Sequence, residues 1–129
     1  MEIKRNMVGW FEIPVENMER AIKFYETIFD IKLSLMKMGL MEMAMFPTID
    51  KLPGAQGTLV YNKEHYKPST DGTLIYFTSQ AADLSVELSR VEKAGGKVLQ
   101  EKKQISHDYG YMGLFIDSEG NRLAIHSKE

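Results

Sequence analysis

Over residues 8–13 the chain alternates. Val8, Trp10 and Glu12 fall on one side and Gly9, Phe11 and Ile13 on the other, the period-two pattern of a strand in a sheet. Pro14 ends the run because it has no N–H for a ladder. Asn17 then stands where a helix N-cap belongs, and Arg20 takes the place where a capping box carries Glu or Gln. Met18, Ile22, Tyr25 and Phe29 recur at spacings of four, three and four, one apolar stripe of an amphipathic helix. Strand, short turn and helix together make the first part of a βαβ unit.

Period two returns over residues 31–36 and, after a turn at Gly39, over 41–46, where Met41, Met43 and Met45 share a side. Residues 47–57, with Pro47, Asp50, Pro53, Gly54 and Gly57, read as a loop, and 58–62 as a short strand. The polar stretch 63–72 reads as a linker. A second series follows: a strand over 73–78, a helix capped by Asp83 with the stripe Leu84, Leu88 and Val91, and a stop at Gly95 and Gly96. Strands over 97–100 and 109–116, a tight turn over 117–121 and a last strand over 122–127 complete it. Adding 66 to a residue number carries Met18 to Leu84, Ile22 to Leu88, Tyr25 to Val91 and Leu33 to Leu99. The same shift carries Trp10 to Tyr76 and Thr58 to Ala124. The chain therefore reads as an α+β protein of two βαβββ modules, about 7–62 and 73–127, within one domain over 1–129.

Composition narrows the chemistry. A hydrophobic content of 43% and a charged content of 26% suit a globular domain of 129 residues, and a net charge of −2 gives no bias toward nucleic acid or an anionic membrane. The absence of cysteine removes disulfides, thiolate metal sites and Cys nucleophiles. No apolar run has the length of a membrane span or the layout of a signal peptide, so a cytoplasmic location is the expectation. Gly95 and Gly96 end a helix where a phosphate site would begin one, so nucleotide binding is not expected.

The stretch WFEIPVENMERAIKFYETIF, the repeat DGTLIYFTSQAADL, the AGGKV helix stop and the DSEGNRLAIHS ending resemble the vicinal oxygen chelate superfamily. That group contains the glyoxalase, bleomycin-resistance and extradiol-dioxygenase proteins, and the resemblance runs from about Val8 to Ser127. It implies paired modules forming a curved, cup-shaped mixed sheet with the helices outside, and commonly a homodimer. It also implies metal ligands at four strand positions in the metal-dependent members. The matching residues here are Trp10, Thr58, Tyr76 and Ala124. Alanine has no donor atom, an indole offers only an N–H, and threonine is a poor neutral ligand. No cofactor and no divalent metal are therefore expected.

Glu12 is the candidate catalytic residue, a carboxylate in an otherwise apolar strand. The candidate ligand contacts are Trp10, Glu12, Thr58, Tyr76, Tyr111 and His126. Glu12 shares a strand face with Trp10, and His126 one with Ala124, so both are expected to point into the cup. A structural pairing of Glu12 with Arg122 or a lysine is the alternative to a functional role. His107 and Asp108 are adjacent, and their side chains are expected to diverge in a solvated loop. The leading reading is a metal-independent protein that binds a small organic molecule. A lyase, isomerase or dioxygenase-type enzyme using Glu12 and a metal site displaced onto Glu12 and His126 is the first alternative. A structural or interaction domain with a filled cup is the second.

Overall fold

The computed structural model describes residues 2–129 and folds them into two modules, each a strand, a helix and three strands. Module one consists of β1 (Trp10–Pro14), α1 (Met18–Phe29), β2 (Ser34–Met38), β3 (Met41–Met45) and β4 (Gln56–Tyr61). Module two consists of β5 (Tyr76–Thr78), α2 (Leu84–Val91), β6 (Lys97–Ser106), β7 (Gly110–Ile116) and β8 (Arg122–Ser127). The sheets are ordered β1-β4-β3-β2 and β5-β8-β7-β6, the first strand of each parallel to the last and the other pairs antiparallel. This is the α+β, twice-βαβββ class expected from the pattern. The strands form two open sheets, and among the described residues no ladder joins β1 to β5.

The helices face a single shared core. Ile13, Ala44 and Leu59 from the first sheet and Phe115, Leu123 and Ile125 from the second pack on Ala21, Phe24, Tyr25 and Ile28 of α1 and Leu84, Leu88 and Val91 of α2. Each large side chain buried this way stabilises the fold by about 2 kcal/mol. Ile22 sits at the margin of the α1 stripe, half-buried, because the stripe turns toward Ala21 and Phe24.

The 117–121 turn ties module two to module one. Asn17 caps α1 by accepting from Arg20 N at 2.9 Å. The reciprocal carboxylate comes from far along the chain: Glu119 Oε1 accepts from the backbone N–H groups of Glu16 and Asn17 at 2.9 and 2.8 Å. Arg20 Nε donates to Glu119 Oε2 at 2.7 Å, which explains an arginine where a capping box has a glutamate. Asp117 Oδ2 accepts from the buried Tyr25 hydroxyl at 2.6 Å, and Asn121 Nδ2 donates to Pro14 O at 2.8 Å. Gly120, at φ 98°, supplies the left-handed residue of this turn.

The constant offset of 66 does not survive intact. It holds for the helix caps, Asn17 and Asp83, and for the helix starts, Met18 and Leu84. Val15 N bonds Val60 O in module one, and Ser79 N bonds His126 O in module two. Val60 and His126 differ by 66, Val15 and Ser79 by only 64. Glu12 accordingly stands opposite Thr58, and Tyr76 opposite Ala124. The counterpart of Tyr76 is thus Glu12, not Trp10. The slack lies in residues 79–82, where Ala82 adopts φ 67°. Glu87, buried on α2, holds this longer connection by accepting from Ser79 Oγ, Gln80 N and Ala81 N at 2.7–3.2 Å.

Several strands differ from the pattern-based expectation: β4 begins at Gln56 rather than 58, and β5 is confined to Tyr76–Thr78 rather than 73–78. β2 begins at Ser34 rather than 31, since Ile31 and Leu33 anchor on the core and Leu33 N bonds Glu26 Oε2. β6 runs on to Ser106 through Glu101, Lys102 and Lys103, with three register shifts against β7. It is an edge strand, where charged side chains are accommodated and period two is not enforced.

Candidate functional site

A cavity of about 1140 Å³ lies between the two inner edge strands. Every residue of β1 and of β5 lines it, with the loop 47–55 and the start of β4 on one side and the start of β8 on another. Because both faces of both strands contribute, it is a slot between two sheet edges. Its floor is aromatic. Phe77 sits 6.0 Å from Phe11, 4.9 Å from Phe29 and 5.5 Å from Phe46, ring centre to ring centre, and all four line the cleft. Phe77 belongs to module two and the other three to module one, so the floor is also the seam between modules.

The rim carries Trp10 and Tyr76, 41% and 50% exposed. Large aromatics so exposed on ordered strands next to a cavity are available for contact with a ligand. Glu12, half-buried, accepts from Trp10 Nε1 at 3.2 Å and from the Tyr66 hydroxyl at 2.5 Å. Its partners are therefore neutral donors, and the alternative pairing with Arg122 or a lysine is not formed. The hydrogen bond to Glu12 raises the Tyr66 pKa above the usual phenol value, with burial adding to the effect.

The other residues singled out from the sequence are more dispersed. Thr58 is fully buried behind β1, its hydroxyl donating to Leu59 O at 2.8 Å. Tyr111 lies on the helix-facing side of β7, packed against the core with the Lys102 ammonium 4.6 Å from its ring centre. His126 shares a face with Ala124 as expected, but it lies beyond the cleft, its Nε2 2.5 Å from Tyr109 O. Trp10, Glu12 and Tyr76 are the three candidates that line the cleft together. His107 and Asp108 do not diverge: Nδ1 and Oδ1 approach to 3.7 Å in open solvent, and neither lines the cleft.

The donor set does not fit a divalent metal. Across the register the four strand positions hold Glu12, Thr58, Tyr76 and Ala124, one carboxylate, one hydroxyl already donated to the backbone, one phenol and one methyl. Among the described residues no three His, Asp or Glu side chains gather in one place. Glu12 and His126 stand on different sheets, each with partners of its own.

Two residues at the site, Tyr66 and Phe77, escaped the sequence reading, and a third, Arg122, entered it only as a structural partner for Glu12. Tyr66 falls in the polar stretch 63–72, which carries no periodicity to orient it. Phe77 was visible as the neighbour of Tyr76 on the opposite strand face, although which module it enters is a tertiary fact. Arg122 begins β8 and lines the cleft beside Asn121.

The chain matches the family model described as Glyoxalase/Bleomycin resistance protein/Dioxygenase superfamily over residues 7–125. No curated protein matches it. Among solved structures it is similar to a glyoxylase/bleomycin resistance protein/dioxygenase domain from Frankia sp., with a TM-score of 0.73 and 19% identity, covering 98% of this chain and 100% of that one. TnmS3, an antibiotic binding protein from Streptomyces sp., superimposes with a TM-score of 0.67 at 18% identity, over 99% of this chain and 100% of that one. Glyoxalase I from Zea mays gives 0.65 at 20% identity over 92% of this chain, which spans about half, 45%, of the maize protein's length. At these identities the likeness is one of fold.

Proposed function

We propose that this chain, which belongs to the Glyoxalase/Bleomycin resistance protein/Dioxygenase superfamily, binds a flat organic molecule in the cleft between β1 and β5 without the help of a metal ion. The observation that carries this reading is the pair of exposed aromatics, Trp10 and Tyr76, on the rim of a cavity of about 1140 Å³ floored by phenylalanines. Such a slot suits a planar ring system, which gains apolar burial from the floor and ring contacts from the rim. Glu12 orients the ligand's polar edge, and Trp10 and Tyr66 hold its carboxylate in place. The antibiotic-binding Streptomyces protein has the same fold, and binding of an organic molecule is what the reading extends to this chain. Calorimetry with 2-naphthamide on protein kept in EDTA tests it. The expected result is saturable binding that Trp10→Ala weakens about tenfold. Absence of binding, or binding only with added zinc, would contradict it.

A second reading has one observation in its favour. The Tyr66 hydroxyl donates to Glu12 at 2.5 Å, a carboxylate and phenol pair suited to moving a proton on a bound ligand. This would make the protein a lyase or isomerase with Glu12 as base, and an activity abolished by Glu12→Gln with ligand binding retained would distinguish it. A homodimer also belongs to the proposal. Leu35, Met36, Met38 and Leu40 on the β2–β3 hairpin are 50–90% exposed, an apolar patch that a second copy would cover. Sedimentation at micromolar concentration is expected to give twice the chain mass.

A further inference from the structure

We infer that the molecule held in this cleft is an aromatic carboxylate whose carboxyl group sits on Arg122. This rests on the reading of the cleft given above and names its ligand class. Arg122 opens β8 directly after the turn that pins module two to α1, and strand alternation puts it on the sheet face of Ala124, the residue opposite Tyr76. Its Nε is, among the described residues, the one buried side-chain nitrogen or oxygen with no hydrogen-bond partner. The guanidinium joins none of the ion pairs formed among those residues. Arg20 makes the contrast plain: its fork is engaged by Glu119 through Nε and Nη2 at 2.7 and 3.0 Å. A buried donor left unmet is unfavourable, and a ligand that meets it removes that cost on binding.

Neither carboxylate that lines the cleft, Glu12 or Asp50, pairs with Arg122. Glu12 already accepts from Trp10 and Tyr66. Lys51, Lys67 and Arg122 outnumber Glu12 and Asp50 among the charged side chains that line the cavity, so the slot favours an anion. A carboxylate suits the site better than a phosphate. A guanidinium fork meets a carboxylate through two parallel bonds. A phosphate calls for a cluster of free N–H groups, and both helix N-termini are spoken for, α1 by Asn17 and Glu119 and α2 by Asp83 and Ser127. Tyr76 and Arg122 both line the cleft from the second sheet, so a ring resting on Tyr76 presents its carboxyl edge to Arg122.

Calorimetry on the full chain with two probes of one shape, 2-naphthoate and neutral 2-naphthamide, tests the inference. Wild-type protein is expected to prefer naphthoate about tenfold or more. Arg122→Gln should erase the preference by weakening naphthoate far more than naphthamide, and Arg122→Lys should keep part of it. Equal binding of the two probes, or a preference that survives Arg122→Gln, overturns the inference and leaves the cleft reading standing. Failure of both probes to bind overturns the cleft reading and the inference with it. Should Arg122→Gln not fold, sodium chloride supplies the second measurement: the wild-type preference must shrink as salt rises, and a salt-independent preference counts against an ion pair.

Discussion

At the scale of single residues, the carboxylates separate by what holds them. Glu12 faces the cleft on two neutral donors, whereas Glu119 is enclosed by the charged Arg20 and by backbone N–H groups. For Glu119 burial works to raise the pKa, but Arg20, the Asn17 and Glu16 N–H groups and the Ser118 hydroxyl outweigh it, and the net shift is downward. A carboxylate whose pKa is lower folded than unfolded stabilises the fold fully above its unfolded value, about 4.5 here, and that contribution fades as pH falls through the folded value. Glu119→Gln is therefore expected to cost about 2 kcal/mol at neutral pH, from lost charge-assisted bonds. The gap between variant and wild type should narrow as pH falls below about 4.5 and close once Glu119 is protonated in the folded state. Urea denaturation across pH checks both, and a gap that persists in acid would contradict the clamp. No local pattern announces this residue, since its partners lie about a hundred positions away. The one hint was Arg20 standing where a capping box has an acid.

At the scale of elements, period and caps carried the assignment where one face is buried against a helix. Both N-caps and both helix starts fall where the pattern puts them. The pattern gave way where burial stops enforcing it, in the charged edge strand β6 and the fully exposed β2. The two-residue slip between β1 and β5 is of another kind. Residues 79–82 look like ordinary turn sequence, and the device that lengthens the connection, Glu87, reads as a polar position on an amphipathic helix until its burial is known. Glu87→Ala would leave Gln80 N and Ala81 N without an acceptor and empty a buried site. We expect a loss of about 3 kcal/mol, read by chemical denaturation. Hydrogen exchange should quicken in 79–82 and at the end of β5, and unchanged exchange there would show that Glu87 does not hold the connection.

At the scale of the whole molecule, duplication was legible because both modules keep the same order of elements, but their docking was not. Phe77 crossing into the ring cluster of module one and the 117–121 turn clamping α1 are contacts between distant segments, and together they set the width of the slot. Of the candidate site, Trp10, Glu12 and Tyr76 meet along the slot because β1 and β5 are its walls, while Tyr111 and His126 depend on a face and a depth that only the assembled modules define. The chain's one tryptophan stands on that rim, so its emission reports on the cleft alone. The most direct test is a titration of Trp10 fluorescence with a panel of two- and three-ring aromatic compounds, in EDTA. Saturable quenching by members of the panel, unchanged by the chelator and weakened about tenfold in Tyr76→Ala, is the predicted result. No saturable quenching, or quenching that appears only when a divalent metal is supplied, would contradict a metal-free organic-ligand site between β1 and β5.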